Sequence, residues 1–470
     1  MNRARMQTGL LLAFLVLAGI AAVVWAFGYY THQSVSPSVL LFFWRAALLA
    51  FCGYAVVRRS LTAWIFAGMM LGAEIGYDFP NTARNLQVLS AIFLRLIKTI
   101  VAPLIFSTLV VGIAGHADLK QVGRLGVKSL IYFEVITTLA LLIGLAAANF
   151  SQAGAGVQRK AEAMAAQATA PPSSPPQKPS DILLHAFPEN IAKSVAEGQV
   201  LQVVVFSIIF GIALALLSED KRRPMILFCE SLSEVMFKFT NIVMLFAPLG
   251  VLGAMAATVG TMGFSVLKDL FHLLATLYAA LVVFLGCVLV PVALLARLPL
   301  KRFFRAVAEP VSIAFATASS EAALPRAMES MEAFGVPRPI VAFVLPTGYS
   351  FNLDGSTLYL SLAALFVAQA GGIHLSIGQQ LVMLLTLMLT SKGVAGVPRA
   401  MLVILSGTVD SFHLPVWPVI LILGIDQLMD MARTATNVLG NCLAAAVVAR
   451  WEGALGKEAP SETVLDAAAQ

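Results

Sequence analysis

The stretch Asp426-Gln-Leu-Met-Asp430-Met-Ala-Arg433-Thr434-Ala-Thr-Asn437-Val-Leu-Gly-Asn441 lies inside an apolar segment, 417–450, long enough to cross a bilayer as a helix. At about 100° per residue, Asp426, Asp430, Arg433, Thr434, Asn437 and Asn441 fall on one stripe about 100° wide. Met429, Ala432, Val438 and Leu439 take the other faces. A charged side chain at the bilayer centre costs about 2.5–3.5 kcal/mol even on translocon-insertion scales. Two Asp and one Arg on a single stripe therefore mark something polar held there. A salt-bridge seam between helices would account for those charges alone. Thr434, Asn437 and Asn441 carry the stripe further and point to a lined site.

Around this segment the 470-residue chain is 59% hydrophobic and 12% charged, which excludes a soluble globular class. The expectation is an all-α polytopic membrane protein in contact with the lipid bilayer. The net charge of +6 implies no nucleic acid, because Lys and Arg collect in cytoplasmic loops. Basic clusters at Arg3/Arg5, Arg58/Arg59, Lys120/Arg124/Lys128, Lys221/Arg222/Arg223 and Arg297/Lys301/Arg302/Arg305 recur at every second loop. That spacing places both termini in the cytoplasm of a multi-pass protein of the cell (inner) membrane. Cys52, Cys229, Cys287 and Cys442 all sit in apolar runs and imply no disulfide framework. Arg3 and Arg5 before the apolar run 9–27 resemble a signal peptide. That run is nearly bilayer length and has no convincing cleavage site, so it reads as a retained helix.

Apolar runs at 8–28 and 37–57 make a two-helix N-terminal extension, 1–59, in which Arg45 is placed to snorkel or to pair. Further runs stand at 61–77, 87–114, 126–149, 196–218, 224–258 and 266–296. Residues 150–190 are rich in Ala, Pro and Ser and read as an exposed extracellular loop without chemistry; 454–470 reads as a cytoplasmic tail.

From 306 onward the hydropathy is interrupted. Residues 306–335 are broken by Thr317-Ala318-Ser319-Ser320-Glu321 and then Pro325, and 376–410 by Ser391-Lys392-Gly393-Val394-Ala395-Gly396-Val397-Pro398. The flanks of this second break, about 12–15 residues each, are too short to span. Both segments read as re-entrant hairpins, whose irregular backbone is tolerated at membrane depth only where protein or a water-filled cavity satisfies it. Between them, 338–370 is a span interrupted at Gly348-Tyr349-Ser350-Phe351-Asn352-Leu353-Asp354-Gly355-Ser356. Freed carbonyls with Asn352 and Asp354 are oxygen ligands suited to a small hard cation. No His lies close in sequence to Ser319/Ser320 and no elbow motif surrounds them, so enzyme chemistry and an organic cofactor are not expected.

These three motifs, with Asp426-x-x-x-Asp430-Met431-x-Arg433-Thr434-x-x-Asn437 as a fourth, resemble those of the dicarboxylate/amino-acid:cation symporters, which include the glutamate and aspartate transporters. The resemblance covers 60–453 and leaves out the N-terminal extension and the Pro-rich loop. It implies eight spanning helices plus two re-entrant hairpins, with two extra helices here, assembled as a homotrimer. It further implies an elevator-type mechanism. A transport domain, mainly 126–149 and 266–453, slides against a scaffold, mainly 60–125 and 190–265. Carried over by position, Arg433 pairs with the substrate's side-chain carboxylate, Asp430 takes its α-amino group, and Thr434 and Asn437 hold the α-carboxylate end. Ser320, Gly396 and Val397 add hairpin contacts, and Ser356 stands where archaeal members have a Thr. A bidentate Arg fork does suit a carboxylate, and together with a buried Asp it asks for aspartate or glutamate. The four-carbon dicarboxylate carriers resemble this chain through Pro346-Thr347-Gly348-Tyr349-Ser350-Phe351-Asn352. They keep the Arg but lack the Asp-Met at 430–431 and the Thr at 434, so the amino-acid branch is favoured over carriage of succinate, fumarate or malate.

The coupling cation is the remaining question. The resemblance implies a sodium site from Gly348, Asn352, Asp354, Asn437, Asn441 and Thr137. However, Asn441 stands where sodium-coupled members have an Asp, Ile136 where they have a hydroxyl, and Leu353 where they have a Met. Animal carriers place their proton-carrying Glu at the position of Leu360. Glu321 and Glu134 are intramembrane carboxylates that the archaeal sodium carriers lack, and a carboxylate taken out of water favours its protonated form. Proton coupling is therefore expected, with sodium as the alternative.

Overall fold

The computed structural model describes residues 3–31, 36–114, 121–158, 187–197, 199–391, 400–412 and 414–456, and no strand occurs among them. In chain order the helices are α1 (Arg3–Thr31), α2 (Pro37–Arg58), α3 (Leu61–Asp78), α4 (Pro80–Asn85), α5 (Gln87–Ala114) and α6 (Gln121–Ser151). Then come α7 (Ile191–Ala196), α8 (Val200–Ala215), α9 (Glu219–Met244), α10 (Ala247–Met262), α11 (Val266–Phe284) and α12 (Val290–Leu295). The last group is α13 (Leu300–Thr317), α14 (Ser320–Phe334), α15 (Arg338–Phe351), α16 (Asp354–Ala370), α17 (Ile377–Thr390), α18 (Ala400–Ser411) and α19 (Trp417–Trp451). Among the described residues six stretches are long and apolar enough to cross a membrane, and a seventh arises if α9 and α10 count as one span. Polar residues keep α19, 35 residues long, out of that set.

The chain divides into two compact units, Met1–Leu94 with Val243–Val266, and Arg95–Ile242 with Leu267–Gln470. In the first, α1 and α2 form a helical hairpin, α2 packs on α3, and α3 packs along α10. The α3 side of that last seam is made of small buried residues, Ala67, Gly68, Gly72, Ala73 and Gly76, which let two backbones approach closely. Arg45 pairs rather than snorkels. Its Nε donates to Glu74 Oε1 at 2.6 Å and its Nη2 to both oxygens of Asp78 at 2.7 and 2.8 Å. Trp44 Nε1 adds a hydrogen bond to Glu74 Oε2 at 2.9 Å.

In the second unit the interrupted segments fold as pairs of helices. α13 and α14 pack against each other across a break at Ala318, which takes a left-handed φ of 50°. Ser319 caps α14 by accepting from the Ala322 amide. Pro325 does not break the chain as expected. It lies inside α14, where its missing donor removes one hydrogen bond early in the helix. α17 and α18 are short apolar arms on either side of 392–399. Gln380 of α17 is tied to α6, where Asn149 Nδ2 donates to its Oε1 at 2.8 Å.

Three sequence expectations need correction. The run 196–218 is one helix, α8, preceded by the short α7, but the run 224–258 is α9 and α10 with a break at Leu245 and Phe246. α9 starts earlier than its apolar run, at Glu219 and Asp220, whose charge suits a helix N-terminus. Hydropathy reports depth in lipid rather than backbone hydrogen bonding, so it missed both features. The start of the expected exposed loop is packed instead. Ala153 and Val157 are buried, the Gly154 amide donates to Gln369 Oε1 at 3.1 Å, and Gln369 Nε2 donates to the Ala148 carbonyl at 3.0 Å. A single α16 side chain thus satisfies the turn after α6. Residues 159–186 lie outside the described residues.

Candidate substrate and cation site

α19 is buried nearly all round, Met429, Ala432 and Val438 as deeply as the polar stripe, because α13, α14, α15 and α16 pack along it. The stripe therefore faces protein. Close approach of α16 depends on Gly355 and Gly440. A Cβ on Gly355 would strike the Arg433 backbone, and one on Gly440 would strike the Asp354 carboxylate.

The centre of the site is Arg433, 1% exposed. Its Nε donates to Asp430 Oδ1 at 2.8 Å and its Nη1 to Asp426 Oδ1 at 3.2 Å. The guanidinium lies over the Tyr359 ring, 4.2 Å from the centroid, and the Tyr359 hydroxyl donates to Asp426 Oδ1 at 3.3 Å. Thr434 Oγ1 donates to Asp430 Oδ1 at 3.2 Å. The other terminal nitrogen, Nη2, has no hydrogen-bond partner among the described residues. Buried polar groups are ordinarily hydrogen-bonded, so a guanidinium nitrogen in that state suits an acceptor such as a carboxylate.

One turn along, Asn437 and Ser356 bond reciprocally. Asn437 Nδ2 donates to Ser356 Oγ at 2.9 Å, and the Ser356 amide donates to Asn437 Oδ1 at 3.2 Å. Beyond them is the break between α15 and α16, at Asn352 and Leu353. There Asn352 Nδ2 donates both to Asp354 Oδ2 and to Asn441 Oδ1, each at 3.1 Å. A Cβ on Gly348 would strike the Asn441 amide, so Gly348 borders the same group. The expected cation ligands Gly348, Asn352, Asp354 and Asn441 are thus brought together. An amide N–H group, a poor neighbour for a cation, is directed at two of their oxygens. Asn352 Oδ1 has no hydrogen-bond partner among the described residues.

Other expected residues are less central. Thr137 is buried on α6, and its hydroxyl donates to the Phe133 carbonyl at 2.6 Å. Ser320 is buried at the start of α14, which packs on α19, whereas Glu321 beside it is exposed. Glu134 is half-buried on α6. Gly396 and Val397 lie outside the described residues. Sequence reading missed Tyr359, which both stacks on Arg433 and bonds Asp426. Its signal was the i, i+3 spacing from Ser356, which puts the two on one face of a helix.

Three relatives bear on this arrangement. A protein of Bacillus caldotenax named proton/sodium-glutamate symport protein is 44% identical over 86% of this chain and 97% of its own length. A proton/glutamate-aspartate symporter of Escherichia coli (strain K12) is 44% identical over 84% of this chain and 94% of its own. A C4-dicarboxylate transport protein of Anaeromyxobacter sp. (strain K) is 42% identical over 85% and 91%. The profile of the sodium:dicarboxylate symporter family matches residues 61–451, which include α3 to α19 and the whole polar site. The chain belongs to the sodium:dicarboxylate symporter family.

Proposed function

We propose that the chain is a secondary active symporter that takes up acidic amino acids, glutamate and aspartate, together with protons. The observation that carries the substrate class is the buried Arg433 with Nη2 left for an acceptor, flanked by Asp430. The two groups match the carboxylate and the ammonium of an acidic amino acid, and Thr434, Asn437 and Ser356 supply hydrogen bonds for its α-carboxylate. Asp430 is held by Arg433 and Thr434, so an incoming ammonium would share it. The dicarboxylate reading rests on the same arginine and on the relative that carries that name; it leaves Asp430 without a role toward substrate.

Proton coupling is supported by the Asn352 amide lying against both Asp354 and Asn441. Replacing a carboxylate by Asn441 also removes a full negative charge from a would-be sodium site. Glu321 and Glu134 are the proposed proton carriers. On this reading α13–α14 and α17–α18 are re-entrant hairpins, and they move with α6, α15, α16 and α19 as an elevator within a homotrimer of the cell membrane. Both termini are cytoplasmic.

The test is labelled aspartate uptake into proteoliposomes, driven separately by inward proton and inward sodium gradients. Uptake with protons alone is expected. Uptake with sodium alone would overturn the coupling assignment, and succinate uptake unaffected by excess aspartate would overturn the substrate assignment.

A further inference from the structure

The α1–α2 hairpin lies before the family match at 61–451 and plays no part in the site above. Its two ends differ sharply in charge. Residues 1–94 and 243–266 contain two carboxylates, Glu74 and Asp78, and Arg45 holds both of them. The opposite end carries Arg3, Arg5, Arg58 and Arg59, all exposed, with no carboxylate of that unit to balance them. Arg3 ties this end together. Its Nε and Nη2 donate to the Val57 carbonyl at 3.1 and 2.9 Å, and Gln7 Nε2 donates to the same oxygen at 3.3 Å. That oxygen belongs to the last turn of α2, so Arg3 and Gln7 offset the negative end of the α2 dipole. They also bring the start of α1 against Arg58. Arg59 then turns the chain in a left-handed conformation, φ 55°, into α3. Arg5, Arg58 and Arg59 are left with no ion pair among the described residues.

Membrane orientation needs only an excess of basic residues near the span ends. Here arginines from two separate segments meet at one end, Arg3 being bonded to the carbonyl next to Arg58, on a hairpin whose outer face exposes Leu12, Leu15, Val16 and Val23. Fork-shaped guanidinium groups bind phosphate oxygens in bidentate fashion, and basic clusters beside spans attract anionic lipid.

We propose that this end of the α1–α2 hairpin is a binding site for the phosphate of an anionic phospholipid headgroup, with Arg58 and Arg59 as ligands and Arg3 held beside them. The assignment to the inner leaflet rests on the cytoplasmic N-terminus proposed above.

The experiment is thermal unfolding of the full chain in detergent, titrated with phosphatidylglycerol, phosphatidylcholine or inorganic phosphate. Phosphatidylglycerol is expected to raise the midpoint at concentrations where the other two do not. Each arginine is expected to contribute about fivefold to lipid affinity, so the double variant R58Q/R59Q should bind about 25-fold more weakly. The variant R58K/R59K keeps the charge but loses the fork, so its response should fall between those of the parent and the Gln variant, and an unaltered midpoint without lipid separates loss of the site from loss of fold. Equal stabilisation by phosphatidylcholine, equal stabilisation by free phosphate, or an unchanged response in the Gln variant would each overturn the proposal. The assay uses neither substrate nor a sealed compartment, so its outcome is independent of the transport reading and of sidedness.

Discussion

Removing Arg433 should separate what it does for substrate from what it does for the fold. Arg433→Ala leaves Asp426 and Asp430 buried on one helix face without the cation that meets them at 3.2 and 2.8 Å. Removing one partner of a buried ion pair costs about 3–5 kcal/mol. Losing a buried charge-assisted contact to substrate costs about 2–5 kcal/mol more in binding, or about 30-fold to about 5,000-fold in Kd. The double variant Asp426→Asn/Arg433→Ala removes one of the two buried carboxylates that lose their arginine. It keeps an oxygen that accepts from the Tyr359 hydroxyl. It should therefore recover about half of the lost stability, about 2 kcal/mol, and none of the lost transport. Thermal unfolding in detergent and labelled aspartate binding, run on the parent and both variants, measure the two effects separately. Aspartate binding retained by Arg433→Ala would refute the substrate role. A double variant no more stable than the single one would refute the charge argument.

Other perturbations probe the same frame. Tyr359→Phe keeps the ring under Arg433 but loses the 3.3 Å hydrogen bond to Asp426. It should weaken aspartate affinity by about fivefold, on the basis of about 1 kcal/mol for such a bond, whereas Tyr359→Ala should weaken it further in the same binding assay. Gly440→Ala drives a methyl group into the Asp354 carboxylate and should cost at least about 1–3 kcal/mol of stability through overpacking; an unaltered unfolding midpoint would contradict the close packing of α16 on α19. Glu321→Gln should make uptake insensitive to the pH gradient to a greater extent than Glu134→Gln does. Equal gradient dependence in Glu321→Gln and the parent would rule Glu321 out as the proton carrier.

Much of the fold and the site was legible in the chain because membrane burial penalises polar residues so strongly. A stripe of Asp, Arg, Thr and Asn in an apolar helix has few explanations, and the structure gathers Asp426, Asp430, Arg433 and Thr434 into one network. The breaks at Ala318 and at Asn352 and Leu353 were likewise readable from Gly, Ser and Pro in segments that should otherwise have run straight through. The family resemblance put Asn441, a neutral residue, among the expected cation ligands, and the structure sets it against Asn352.

Tertiary structure alone decided which side chains satisfy one another. The spacing from Ser356 puts Tyr359 on the site's face of α16, but its stacking on Arg433 depends on where α16 crosses α19, and that crossing is set by close approach at Gly355 and Gly440. The same holds for Asn352, whose amide was expected among the cation ligands and is found bonding two other members of that set. Arg45 had two readings in the sequence, and the register of α2 against α3 selected the ion pair. Helix identity and burial follow from local composition and the cost of desolvation. The pairing of polar groups follows from the relative placement of helices distant in sequence, and no local pattern encodes it.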